Sequence, residues 1–178
     1  PRFYLIPKVH KTPVVGRPIV ASFNWINTEA SKTLSTRLRL VITQLQMKRD
    51  QGLLPVMPIV SSSYEAKQVL NNWITRNGVA WEENRLPKLN TYSYDFTALY
   101  TNLSHELIIH NMNQIMKMMH EIEPQTWIQA EVEAIMHLLQ LVLKTTYFKC
   151  EELSNQLYRQ VIGLPMGTNC APELANLV

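Results

Sequence analysis

The sequence predicts an α+β fold. Three observations predict it. Helical and strand-like segments follow one another without the strand–helix–strand rhythm of a parallel sheet. Paired short strands around turns lie towards both ends, and apolar residues at helical spacing fill the middle. The 178 residues are 46% apolar and 17% charged, enough for about one globular core.

Taken in order, Phe3-Tyr4-Leu5-Ile6 and Arg17-Pro18-Ile19-Val20-Ala21 are rich in aromatic and β-branched residues and read as strands. Pro7, Pro13 and Gly16 keep the connection between them open, giving a hairpin with Lys8, His10 and Lys11 towards its tip. A helix follows from about Thr28 to Arg49. Its inward face is Ala30, Leu34, Leu38, Val41, Ile42 and Leu45, and Gly52 stops it. The cations Lys32, Arg37, Arg39, Lys48 and Arg49 occupy other faces, as on a solvated helix or one that follows a nucleic-acid backbone. Leu53 to Ile59, with two prolines, is a connector.

Ser62-Ser63-Tyr64-Glu65 has the capping-box pattern and opens a second helix that ends at Asn77-Gly78. A polar linker over 82–88 leads to an expected strand, Thr91-Tyr92-Ser93-Tyr94. Ser104 caps the next helix, with Leu107, Ile108, Met112, Ile115, Met116 and Met119 inward. Pro124 is the expected opener of another helix, carrying Trp127 through Leu143. The segments 145–150 and 156–161 form a second hairpin around 151–155. A glycine-bounded turn, Gly163 to Gly167, leads into a helix near Cys170-Ala171-Pro172.

Several function classes drop out. No run reaches the ~18 apolar residues of a membrane span, and Pro1-Arg2-Phe3-Tyr4 is no signal peptide. Cys150 and Cys170 are too few for a disulfide framework and form no Cys-x-x-Cys pair, so a reducing, intracellular setting is expected. The four histidines from His105 to His137 lack the i,i+4 pairing of a zinc helix. No phosphate-binding P-loop, dinucleotide fingerprint or nucleophile elbow is present. The net charge of +3 permits a polyanionic partner without demanding one.

Among the remaining residues, Asp95 closes the aromatic segment 91–94. A carboxylate there, with the Phe96 carbonyl beside it, suits magnesium, which takes hard oxygen ligands; equally, it suits an aspartate that caps a turn. Tyr100 is either a flat wall beside a sugar or a half-buried core tyrosine. Lys8, Lys11 and Arg17 make a dense cationic group that suits a triphosphate, or a solvated loop.

The order of four segments breaks these ties. Phe3-Tyr4-Leu5-Ile6-Pro7-Lys8-Val9-His10-Lys11, Gly16-Arg17-Pro18-Ile19-Val20, Asp95-Phe96-Thr97-Ala98-Leu99-Tyr100-Thr101-Asn102-Leu103 and Gly163-Leu164-Pro165-Met166-Gly167 continuing to Leu177 span essentially the whole chain. Together they resemble the reverse transcriptase domain of Penelope-like retroelements. The resemblance implies a right-hand polymerase, with residues 1–90 as fingers and 91–178 as a partial palm. By it, Arg17 with Lys8 or Lys11 holds the nucleotide triphosphate, Asp95 and the Phe96 carbonyl bind Mg2+, and Tyr100 is the steric gate against ribonucleotides. Pro165, Met166 and Gly167 pack beside the nascent base pair. Retroviral enzymes carry glutamine where this chain has Met166, so one polar contact to the nucleotide is absent.

The implied partners are an RNA template, a DNA primer and deoxynucleoside triphosphates, with no membrane, in a nuclear setting. The two-ion site needs a second carboxylate motif, which the resemblance places beyond Val178. Opening on Pro1 and stopping inside an apolar helical pattern also suggest a window from a longer polypeptide, inactive by itself. Two other functions compete. One is a non-catalytic nucleic-acid-binding relic that uses the basic helix and hairpin; the other is an RNA-directed RNA polymerase sharing the palm.

Overall fold

The computed structural model describes residues 1–10, 12–22, 24–54, 59–60, 62–76, 92, 94–151 and 154–178, with the Asn155 side chain left aside. The fold is α+β, as the mixed patterning predicts. Its elements in order are β1 (Arg2–Lys8), β2 (Val15–Ala21), α1 (Thr28–Asp50), α2 (Ser63–Arg76), the single turn α3 (Leu99–Asn102), α4 (His105–Ile122), α5 (Gln129–Lys144), β3 (Tyr147–Cys150), β4 (Ser154–Arg159) and α6 (Ala171–Leu177).

The four strands form one sheet in the order β2-β1-β3-β4. Both hairpins are antiparallel, with Ile6 opposite Arg17 in one and Phe148 opposite Tyr158 in the other. They join through a short parallel pairing of β1 with β3, in which Arg2 faces Lys149. The Lys149 amide also donates to the Pro1 carbonyl at 2.9 Å. Phe3 and Phe148 sit with ring centroids 5.7 Å apart, and Phe148 lies 5.9 Å from Tyr158, so these three rings share one face.

The apolar stripe of α1 buries Leu34, Leu38, Val41 and Leu45 against α5, whose Ile135, Leu139 and Val142 face it. Met112, Met116 and Met119 of α4 fill the same core, joined by Leu164 and by Leu174 of α6. Each fully buried side chain of this size contributes about 1.5–3 kcal/mol. Core and sheet both draw on residues from either side of position 90.

Two caps form where serines predict them. The Ser62 hydroxyl accepts from the Glu65 amide and Ser104 from the Leu107 amide, each at 3.1 Å. Asn27 starts α1 without capping it. Its amide is buried and donates to Thr146 Oγ1 at 3.3 Å, fixing α1 to the chain between α5 and β3.

Three readings need correction, and a fourth falls outside the described residues. Tyr92 and Tyr94 are exposed and lie outside any strand, while positions 91 and 93 fall outside the described residues. Without neighbours on a pleated surface, aromatic content alone does not hold a strand. Helix α5 begins at Gln129 and not at Pro124, because the Thr126 and Trp127 amides both fold back on the Glu123 carbonyl. Trp127 is nonetheless buried, its indole N–H donating to Gln44 Oε1. Leu107 is exposed, one position off the inward face of α4. The expected end of α2 at 77–78 and the linker over 82–88 lie outside the described residues.

All five cations of α1 sit in ion pairs: Lys32 with Glu29, Arg37 with Glu131, Arg39 with Glu173, Lys48 with Glu123, and Arg49 with Asp50 and Glu65. The Lys48 ammonium, 2.5 Å from Glu123, holds that carboxylate below the usual range. Among the described residues no helix is long and apolar enough to cross a membrane.

Candidate functional site

The loop 163–167 is the hinge of the site. Gly163 has φ +83°, the left-handed region that glycine enters without a side-chain clash. Its amide donates to the Leu103 carbonyl at 2.7 Å, and the Leu164 amide donates to the Tyr100 carbonyl at 2.6 Å. His105 Nε2 lies 3.1 Å from the Gly163 carbonyl. These contacts bind the start of the loop to α3 and to the first residue of α4.

The far end of the loop is bound to β2. The Val20 amide donates to the Met166 carbonyl at 2.8 Å. Gly167 has φ +121° and packs directly on the Val20 carbonyl, leaving no room for a side chain. Thr168 closes the turn, its amide and hydroxyl both donating to the Pro165 carbonyl at 3.1 and 2.9 Å. Cys170 then starts α6, anchored by an amide hydrogen bond to the Ser31 hydroxyl at 3.3 Å. Burial pushes the Cys170 thiol above its usual pKa.

Three of the segments named from the sequence, 17–20, 100–103 and 163–167, are thus neighbours in space. Leu164 is buried, Met166 is half-buried and Gly167 is exposed. Between the first hairpin and the stretch before the loop lies a cleft of roughly 300 Å³, lined by Phe3, Val20, Thr101, Phe148, Leu164 and Met166 among others. A larger hollow of about 930 Å³ between the end of α1 and α2 is lined by none of the candidate residues.

Strand pairing settles where the cations stand. Lys8 pairs with Val15 and Ile6 with Arg17, so Lys8 and Arg17 are diagonal neighbours on one face of the hairpin. Neither has an ion pair among the described residues. Lys11 lies outside the described residues.

Asp95 and Phe96 are exposed, four and three residues before α3. Ala98 occupies the N-cap position of α3 with φ +57°, a conformation unusual for a residue with a Cβ. The Thr101 hydroxyl donates to the Ala98 carbonyl at 3.0 Å, and Asn102 Nδ2 to the Thr97 carbonyl at 3.2 Å, holding the turn. No side chain caps α3. The Asp95 carboxylate has no hydrogen bond or ion pair among the described residues, so the turn is built without it. Tyr100 is half-buried with its ring against the core, and its carbonyl pins the loop.

The donor set has the chemistry for magnesium but not the number for a closed cage. The Asp95 carboxylate and the Phe96 carbonyl are hard oxygens on an open stretch of chain. The remaining positions of an octahedral ion fall to water, substrate phosphate or a further carboxylate. Among the described residues no group of three His, Cys, Asp or Glu side chains is gathered for a metal.

Sequence reasoning passes over His105 and Thr101. Spacing gives His105 a structural place, and its contact to Gly163 says which one, a support of the loop. A histidine just after a capping serine carries no sequence signal for that contact.

No family model, curated protein or solved structure matches this chain.

Proposed function

We propose that this chain is part of an RNA-directed DNA polymerase of the reverse transcriptase type, acting on a primer 3′ end with an RNA template. The supporting observation is the meeting of three segments far apart in sequence. The loop 163–167 is stitched to α3 through Leu164 and Tyr100 and to β2 through Met166 and Val20. These segments carry the resemblance, and a nucleotide site assembled from them requires that they be neighbours.

In this reading Arg17 and Lys8, without an ion pair among the described residues, stand on one hairpin face, position a triphosphate and offset its charge. Lys11 adds to them. Tyr100, held by the backbone contact to Leu164, sets a ring against the sugar and excludes a 2′ hydroxyl. Met166 and Gly167 supply a smooth surface beside the base pair, with no side-chain hydrogen bond to the nucleotide. Magnesium, when bound by Asp95 and the Phe96 carbonyl together with phosphate oxygens, supplies charge stabilisation at the transferred phosphoryl group. A nuclear site of action follows from the same reading.

Primer extension on an RNA template tests it, using the longer polypeptide that carries the second carboxylate motif. Asp95→Asn removes the anionic ligand and lowers extension at least about a hundredfold. Asp95 is exposed, so the thermal midpoint stays where it was. Extension by Asp95→Asn at the parent rate removes Asp95 from the metal site. RNA binding without any extension in the parent selects the non-catalytic relic.

A further inference from the structure

A sheet in the order β2-β1-β3-β4 has two edges, and the chain finishes them differently. On β2 the outward positions are fixed by Val20, whose amide leaves the sheet to reach the Met166 carbonyl at 2.8 Å. Alternation turns Pro18 outward as well, where a proline has no N–H to offer. Gly167 lies against the Val20 carbonyl. The β2 edge is thus closed by a loop at one position and by a missing donor at the next.

The β4 edge carries neither device. The Gln160 amide donates to the Thr146 carbonyl at 2.9 Å, so Gln160 and Tyr158 bond towards β3 while Arg159 and Leu157 face away. Among the described residues no hydrogen bond reaches the outward amides and carbonyls of Leu157 and Arg159. Leu157 is 49% exposed, and Val161 and Ile162, just past the strand, are 65% and 52% exposed. An uncovered edge beside exposed apolar side chains is a template for another strand.

The charges on this hairpin select the occupant. Its turn carries Glu151, whose side chain is 72% exposed and touches Arg2 only loosely, at 3.7 Å. The far end of β4 carries Arg159, exposed and without an ion pair among the described residues. We infer that β4 pairs antiparallel with β4 of a second copy of this chain, about a two-fold axis at Leu157. That pairing sets Leu157 against its own copy and gives the outward backbone groups their partners. Arg159 then lies opposite position 155, within reach of the other copy's acidic turn, while the two Arg159 side chains stay about 13 Å apart along the strands. A parallel alignment sets like charges together. Leu157, Arg159 and Glu151 take no part in the proposed polymerase site, so this association stands apart from that reading.

The test is sedimentation velocity of this chain from about 1 to about 200 µM, with residue-resolved amide hydrogen exchange at both ends of that range. The chain shifts from monomer to dimer, and exchange at Leu157 and Arg159 slows with concentration by more than at Tyr158, which already bonds to β3. Leu157→Lys sets two ammonium groups face to face and raises the dissociation constant about tenfold or more. Arg159→Glu raises it about threefold at low salt, and adding Glu151→Lys returns it towards the parent value. Leu141→Lys, at a side chain 47% exposed on α5, leaves it unchanged. Circular dichroism melts confirm that each variant is folded, and the Arg159→Glu pair carries the test if Leu157→Lys is not.

The inference is overturned by a monomer at every concentration, even one whose β4 edge takes up a strand of a different protein. It is also overturned by a dimer that Leu157→Lys and Arg159→Glu leave intact, by an equal loss with Leu141→Lys, or by exchange that slows equally at Tyr158. No metal, nucleotide or extension enters the readout. Its failure leaves the Asp95 reading untouched, and failure of Asp95→Asn leaves this one untouched.

Discussion

Replacing Gly167 by alanine is the sharpest probe of how the loop meets β2. A Cβ at this position falls well inside 3.0 Å of the Val20 carbonyl oxygen and 3.0 Å from the Val20 carbonyl carbon. Both are backbone atoms and cannot rotate away. The φ of +121° adds strain of about 1–3 kcal/mol for any residue with a side chain. Moving the loop off the strand relieves the clash and gives up the Val20 to Met166 hydrogen bond, about 1 kcal/mol more. The total is about 2–4 kcal/mol.

Gly52 supplies the internal control, since its φ is +75° and no described residue lies within 4 Å of the point an alanine methyl would occupy. Gly52→Ala carries the backbone strain alone, about 1–2 kcal/mol. Urea denaturation of the two variants, followed by far-ultraviolet circular dichroism, gives the comparison. Gly167→Ala is expected to lose about twice as much stability as Gly52→Ala with an unchanged m-value. Equal losses refute the close approach of loop and strand.

Three further outcomes follow from other parts of the fold. Tyr100→Val keeps the backbone contact to Leu164, so the chain stays folded. On the proposed polymerase reading, this variant incorporates ribonucleotides more readily, by an order of magnitude or more, in a gel-based extension assay; unchanged discrimination refutes the gate. Arg39→Ala strands Glu173, whose side chain is 9% exposed and whose Oε2 has no hydrogen-bond partner among the described residues. The expected loss is about 2 kcal/mol in urea titration, below the 3–5 kcal/mol of a fully buried pair because Arg39 itself is mostly solvated. Cys170 has a thiol pKa raised by burial, so its contribution is complete below the ordinary thiol value of about 8.5 and declines as pH rises past it. Between pH 7 and pH 10 the urea midpoint falls less for Cys170→Ala than for the parent chain, and parallel curves refute this.

Much of the helical architecture was legible because its signals are local. Leu34, Leu38, Val41 and Leu45 repeat at the helical period, and Ser62 and Ser104 mark starts that the hydrogen bonds reproduce. Hairpin strands were legible too, within one or two residues at their ends. The failures share a cause, namely dependence on partners distant in the chain. The parallel join of Arg2 to Lys149 leaves no pattern in either strand. The turn α3 is too short to show a period, and it rests on Ala98 in a conformation that alanine does not advertise.

The candidate site divides the same way. Glycine at 163 and 167 announced a turn, but only the structure shows that one glycine faces Tyr100 and the other Val20. The cations of α1 looked equivalent in sequence to those of the hairpin. Their pairing with acids is a tertiary fact, which no spacing rule supplies.

The join between β1 and β3 also governs when this sheet can exist. Its two strands are separated by about 150 residues, which a ribosome making about 5–20 residues per second needs roughly 7–30 s to add. During that interval the first hairpin emerges with Phe3 and Val20 uncovered, since Phe148 and the loop that buries them have not been made. An early hairpin with a wet apolar side is open to strand pairing with other nascent chains. The cations on its opposite face repel such neighbours, giving those charges a use while the sheet is still incomplete.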